Sequence, residues 1–188
     1  MTYSYETHVR PYADSFIRVK LDASDVKRAF KWALDMVEAK ELEMLGARDS
    51  GSSFKRLSNG ILGELAIERL LGTQFIDWSI GHSRDYQRPD LIQLGERVGI
   101  KTVEHGKFPI IARVNEYPQL INIYRSADQV CFVCGLASAE ALNTYQSDEL
   151  ILSAALRRKG LKTGFYGFHM LTSPHDIIDK YRDMLGNT

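Results

Sequence analysis

The chain has 188 residues, 24 Lys plus Arg against 24 Asp plus Glu, and 44% hydrophobic residues, the balance of a soluble globular protein with one sizeable core. Its formal net charge of zero removes any global electrostatic case for nucleic acid, anionic membrane or an acidic substrate, so a surface for such a partner has to be local. No apolar run reaches the roughly 18 residues that span a bilayer, and Met1 to His8 lacks the basic and apolar stretches of a signal peptide, which points to a cytoplasmic protein with no membrane partner.

A single domain is expected over residues 1–188, with 1–14 as a flexible tail. Ser15 to Leu21 alternates apolar and polar residues and reads as an edge strand. Ser24 offers a cap for a long helix to about Leu45, whose apolar positions Val26, Ala29, Phe30, Ala33, Leu34 and Val37 recur at helical spacing. Ala47 to Arg56, rich in Ser, Gly and charge, reads as a loop. Ser58 is the expected cap of a second helix, Asn59 to Leu71, stopped by Gly72. That helix is apolar nearly all round, so it should be buried, and Glu64 and Glu68 share a partly enclosed face one turn apart.

Thr73 to Ile80 reads as a strand and Gly81 to Arg88 as a polar loop. Asp90 to Leu94 and Arg97 to Val103 read as two antiparallel strands joined by a turn at Gly95-Glu96. Phe108 to Val114 is a short strand that Pro109 places at an edge or a strand start. Asn115 to Ser126 is ambiguous because Pro118 interrupts the pattern, while Asp128 to Leu136 is the clearest central strand. Cys131 and Cys134, three apart on that strand, point to opposite faces and read as inert buried thiols rather than a metal or redox pair. Ser147 can cap a helix to about Arg158, ended by Gly160; Thr163 to Met170 reads as a strand; Ser173-Pro-His-Asp176 announces a last helix to about Leu185. Helices before, within and after a group of strands imply an α/β sandwich with a mixed sheet.

The chemistry lies in Asn59-Gly-Ile-Leu-Gly-Glu64, Arg88-Pro-Asp90 and Ile100-Lys101-Thr102. Phosphodiester hydrolysis needs a water made nucleophilic near neutral pH and charge stabilisation at phosphorus, which a carboxylate-bound Mg²⁺ or Mn²⁺ with a nearby lysine supplies. Across a tight hairpin, Asp90 and Lys101 can come level, since paired strands lie about 4.8 Å apart. This constellation resembles the PD-(D/E)XK superfamily, the fold of many restriction endonucleases and of phage and repair nucleases. The run of Ala127-Asp128 into a hydrophobic strand, then Thr163 to Phe168 before a closing helix, is similar to the C-terminal half of small phage and prophage members.

The resemblance implies a restriction-endonuclease-like α/β/α sandwich, a central mixed β-sheet flanked by helices, in a bacterial or phage-infected cell. It implies a metal-dependent DNA endonuclease or exonuclease in which Asp90 and Glu64 bind Mg²⁺ (or Mn²⁺), the Ile100 main-chain carbonyl adds a ligand, and Lys101 positions the attacking water. Gly99 stands at the (D/E) position and removes its carboxylate. Glu64 is the favoured replacement; Glu104 can reach the site only through a bulge, and Glu96 sits in the expected turn. The alternatives are a catalytically degenerate scaffold binding nucleic acid or protein, and a structural or regulatory phage protein.

Each residue also has a structural reading: Pro89-Asp90 as a turn starter, Lys101 as an edge-strand lysine, Glu64 as a partner of Arg56 or Arg69. Around Lys101 the basic residues Arg97, Lys107, Arg113 and Arg125 outnumber Glu104 and Glu116, so Lys107, Arg113 and the titratable His105 are the expected DNA contacts. Arg157-Arg-Lys159 with Lys162 forms a second cluster that reads as cations at a helix C-terminus. Zero net charge leaves homodimerisation open. No H-x-x-x-H, P-loop or G-x-S-x-G motif is present.

Overall fold

The computed structural model describes residues 3–43, 50–80, 89–94 and 96–186. Its strands are β1 (Ile17–Lys20), β2 (Gly99–Glu104), β3 (Ile110–Ala112), β4 (Gln119–Arg125), β5 (Val130–Ala137), β6 (Gln146–Ser147) and β7 (Lys162–Phe165). Its helices are α1 (Tyr5–His8), α2 (Ala23–Glu43), α3 (Ser50–Leu71), α4 (Ala139–Thr144), α5 (Ala154–Lys159) and α6 (Pro174–Gly186). The main sheet has the order β1-β5-β4-β2, with β1 antiparallel to β5, β5 antiparallel to β4, and β4 parallel to β2. A smaller antiparallel sheet has the order β3-β7-β6.

The fold is therefore mixed α/β, a mixed four-stranded sheet with helices against it. One core joins the sheet to α2, α3 and α6 through Val26, Ala29, Leu62, Ala66 and Ile178 against Leu120, Cys131 and Val133. The opposite core packs Val9, Phe16, Ile111, Leu142 and Phe165 on Ile121, Ile123 and Cys134. That second layer is made of the N-terminal segment, the small sheet and the short α4, not of long helices. Cys131 and Cys134 are buried, free and in opposite cores. Among the described residues no helix is long and apolar enough to cross a membrane.

Several elements differ from their expected form. Most of the expected tail, 1–14, is folded: Tyr5–His8 is α1 and Arg10–Ser15 a 3-10 turn, and Val9 between them is completely buried. The start of α2 is capped by Asp22 rather than Ser24: Asp25 N–H and the Ser24 hydroxyl both donate to Asp22 Oδ1, at 2.9 and 2.5 Å. Helix α3 begins at Ser50, so Arg56 is helical and Ser58 lies inside the helix, donating to the Lys55 carbonyl at 3.1 Å. Part of the expected loop, 47–49, and the loop 81–88 with Gly95 lie outside the described residues. Thr73 to Ile80 makes no strand; Glu68 Oε1 instead accepts from Phe75 and Ile76 N–H at 2.6 and 2.7 Å, so a side chain takes the place of a sheet neighbour. Asp90 to Leu94 is a 3-10 turn, and β2 pairs in parallel with β4, so the expected hairpin is absent. The helix expected from Ser147 to Arg158 is two pieces, a 3-10 turn at Asp148–Leu150 and α5, which Ser153 caps. The strand expected to Met170 ends at Phe165 and gives way to a 3-10 turn at Phe168–Met170.

A glycine sets the distance between α3 and the sheet. A Cβ on Gly63 would lie 1.7 Å from Thr102 Oγ1 on β2, so only a glycine allows this approach. The same turn of α3 receives Asn122 Nδ2 of β4 on the Gly63 carbonyl at 3.4 Å. Alanine is the better helix former by about 1 kcal/mol, yet overpacking a filled contact costs about 1–3 kcal/mol. Gly63→Ala should therefore lower the unfolding free energy by up to about 2 kcal/mol in urea denaturation. A stabilised variant would show that the helix does not rest on Thr102.

Candidate active site

Three elements converge where α3 crosses the edge strand β2. Gly63 seats the helix on Thr102, and Glu64, the next residue, is half-buried. Asp90 opens the 3-10 turn Asp90–Leu94, which is tied to the strand by Leu91 N–H on the Val98 carbonyl at 3.0 Å. The Asp90 carboxylate itself accepts the Ile100 N–H through Oδ2. Lys101 follows on β2, also half-buried.

The pairing of β2 explains why that N–H is free to take a side chain. Gly99 N–H donates to Pro118 O at 3.0 Å and His105 N–H to Tyr124 O at 2.9 Å, so odd-numbered residues turn their peptide groups towards β4. Ile100 then presents both its N–H and its carbonyl on the open edge of the sheet. Asp90 takes the first, and the carbonyl is left facing the same edge.

Gly99 has a spatial explanation. A Cβ there would lie 3.1 Å from the Tyr117 ring, 3.5 Å from Gln119 Cγ and 3.7 Å from Asp90 Oδ2. A side chain at this position would start towards the Asp90 carboxylate, tight against the Tyr117 ring and in ordinary contact with Gln119. Among the described residues no group of three or more His, Cys, Asp or Glu side chains is placed to hold a metal ion.

The electrostatics of the cluster are strained. Burial raises the Glu64 carboxyl well above its ordinary range, and the Asp90 and Glu68 carboxylates raise it further. Among the described residues Glu64 forms no ion pair, and neither Arg56 nor Arg69 answers it: Arg69 is engaged by Asp22 and Asp25. Asp90 is pushed up to about 6 by burial, against the opposing pull of the Ile100 and Asp90 N–H groups and of Lys101. Lys101 is pushed down to about 8, first by burial, then by the charges of Lys162 and Arg56, while Asp90 acts the other way. The site thus holds two acids that repel each other, with Lys101 in Coulombic range of Asp90 and of the cations Lys162 and Arg56.

The other candidates lie elsewhere. Glu104 is held by Lys55 and Lys107 at 2.8 and 2.6 Å, and Glu96 faces Lys180 at 3.4 Å, so neither replaces the acid absent at Gly99. Lys107 is thereby paired, and His105 lies against Tyr5 with ring centroids 5.2 Å apart. Arg113 is bidentate to Asp148 at 2.7 and 2.9 Å and also donates to the Gly160 carbonyl, so its charge serves the fold. Sequence reasoning missed Tyr117 as the ring packed against Gly99, and Arg56 and Lys162 as the cations nearest in effect to Lys101. Only a parallel β2–β4 pairing, invisible in the local pattern, brings Tyr117 to that place. Comparison with family models, with curated proteins and with solved structures returned no match.

A carboxyl whose folded value is raised destabilises the protein as pH rises from its unfolded value through the folded one. Glu64→Gln removes that penalty and should stabilise the metal-free protein at pH 8, on the order of 1 kcal/mol. The gain should vanish near pH 4, where the native carboxyl is protonated in any case. Thermal unfolding of both proteins across this range is the measurement; an equal or lower melting temperature for Glu64→Gln at pH 8 would mean that Glu64 is stably satisfied.

Proposed function

We propose that the protein is a metal-dependent DNA nuclease with a restriction-endonuclease-like arrangement, Glu64 and Asp90 holding Mg²⁺ or Mn²⁺ and Lys101 positioning the attacking water. The observation that carries this reading is the pair of mutually repelling, half-buried carboxylates, Asp90 in Coulombic range of Lys101 and Glu64 with no cation of its own among the described residues. Buried acids are ordinarily paired, and those left in electrostatic stress mark functional sites. A mixed sheet whose edge strand carries the lysine, crossed by the helix carrying the glutamate, supports the fold resemblance.

The donors suit a hard divalent cation: two carboxylates and the outward Ile100 carbonyl are all oxygen ligands. When bound, such an ion polarises the phosphodiester and lowers the pKa of a coordinated water. Lys101 orients the nucleophile and offsets the charge that develops on the phosphoryl oxygens. The Ile100 N–H fixes the Asp90 carboxylate, so this acid is oriented before substrate arrives. Arg56 and Lys162 add positive potential at Lys101, which favours an anionic substrate.

A second reading, a scaffold of the same fold that binds nucleic acid or protein without cutting, is favoured by one observation: position 99 has no carboxylate, and the Tyr117 ring lies 3.1 Å from where its Cβ would be. The two readings separate in one assay. Linear, circular, single-stranded and branched DNA incubated with Mg²⁺ or Mn²⁺ should be cleaved, and Lys101→Ala should slow cleavage by about 10²–10⁴-fold. Glu64→Gln should do the same while remaining folded. Absence of cleavage on every substrate, with salt-sensitive DNA binding retained, would establish the scaffold reading instead.

A further inference from the structure

Residues 152–162, which run through α5 to the first residue of β7, are exposed without a break. Their composition is unlike that of the rest of the chain: four cations, Arg157, Arg158, Lys159 and Lys162, and no acid, in a protein whose formal net charge is zero. Three leucines stand in water beside them, with Leu152 85% exposed, Leu161 71% and Leu156 39%. Cations in the last turn of a helix complement its dipole, but that does not account for leucines held out of a core. Among the described residues none of the four cations forms an ion pair.

The segment is exposed but its base is fixed. Arg113 closes both ends at once: its guanidinium is bidentate to Asp148 before the segment and donates to the Gly160 carbonyl at 2.8 Å, while its N–H donates to the Leu161 carbonyl at 3.2 Å. Ile151, 1% exposed, anchors the entry, and Ser153 caps α5 by accepting from Leu156 N–H at 3.4 Å. Gly160, at φ +65°, turns the chain back into β7, and Lys162 pairs with Ala112 of β3. The result is an arm of defined conformation with a basic and apolar surface. Its last cation, Lys162, lies within Coulombic range of Lys101 in the candidate active site.

We propose that residues 152–162 form a DNA-gripping arm, in which Arg157, Arg158, Lys159 and Lys162 take backbone phosphates of the duplex entering the site and Leu152, Leu156 and Leu161 pack on its groove surface. The inference rests on the nuclease reading of the Glu64, Asp90 and Lys101 cluster and names the surface by which that site would meet its substrate. Charge complementarity selects the occupant: a polyanion answers four unpaired cations, and exposed apolar side chains beside cations are the combination that contacts sugars and base edges in a groove. Arg113 acts as the positioning residue of the arm rather than as a phosphate ligand.

The test is fluorescence anisotropy with a labelled DNA duplex, in EDTA to prevent cutting, over a series of salt concentrations. Arg157→Ala/Arg158→Ala/Lys159→Ala should weaken binding at least about tenfold and reduce the slope of log K against log salt by about 2 to 3, close to 0.9 for each phosphate that is no longer neutralised. Leu152→Ser/Leu161→Ser should weaken binding with the slope unchanged, because no charge is removed. Both variants alter exposed residues, and unchanged melting temperatures will verify the fold. Wild-type affinity in the triple variant would overturn the arm, and if the wild-type protein cleaves DNA in Mg²⁺ the site reading survives that result. Arm-dependent binding without any cleavage would uphold the arm and remove the nuclease. Failure of the wild-type protein to bind duplex at low salt, or a leucine variant that turns a dimer into a monomer with DNA binding intact, would overturn the arm as well.

Discussion

The contact between Gly63 and Thr102 is the constraint on which the rest of the site depends. A helix that carried a side chain at position 63 would stand off the sheet, since even a methyl group there meets Thr102 Oγ1 at 1.7 Å. Seated closely, α3 brings Glu64 to the edge strand at the height where Asp90 is already fixed by the Ile100 N–H. Neither acid would choose the other's company: both are raised by burial, and Asp90 adds to the burden on Glu64. Helix seating, supported by the apolar surface of α3 against the sheet, supplies the free energy that holds them there. Stability is thus spent locally to keep two carboxylates near each other, with Asp90 in range of Lys101, and such electrostatic stress clusters at functional sites.

The edge position of β2 gives this arrangement its second property. An interior strand would have both peptide edges taken, whereas among the described residues β2 has β4 on one side only. Its open side offers an N–H that orients Asp90 and a carbonyl that adds an oxygen donor. An edge strand is normally a hazard because it invites another chain to pair. Here the 3-10 turn at Asp90–Leu94 lies along it, tied by the bond between Leu91 and Val98, and blunts it. The same turn that protects the edge delivers the acid.

What could be read from the sequence was what depends on pattern. The uninterrupted apolar run of β5 marked an interior strand, the Ser-Pro-His-Asp signal marked α6, and Gly72 marked the end of α3. The opposite burial of Cys131 and Cys134 followed from strand alternation. What could not be read depends on partners distant in the chain. Asp90 to Leu94 has the composition of a strand, yet has no sheet neighbour, and the bond from Ile100 N–H closes it as a turn. Thr73 to Ile80 has strand composition but forms no strand, and the Glu68 carboxylate takes its Phe75 and Ile76 N–H groups. Ser50 to Arg56 carries loop composition and is nevertheless helical, because Phe54 packs its ring on Phe30 of α2 at 5.6 Å between centroids. For the site, Glu64, Asp90 and Lys101 were legible as residue types at suggestive spacing. The role of Tyr117 and the fold-bound duty of Arg113 were not, since each depends on an element far along the chain.

The proposed sharing of one divalent cation by Glu64 and Asp90 at the edge of β2 can be seen by anomalous diffraction from crystals grown or soaked in Mn²⁺. A peak bounded by the Glu64 and Asp90 carboxylates and the Ile100 carbonyl is expected, and its loss in Glu64→Gln. Mn²⁺ bound only at other surface acids, or a Glu64 carboxylate turned away from Asp90 onto a cationic side chain, would contradict it.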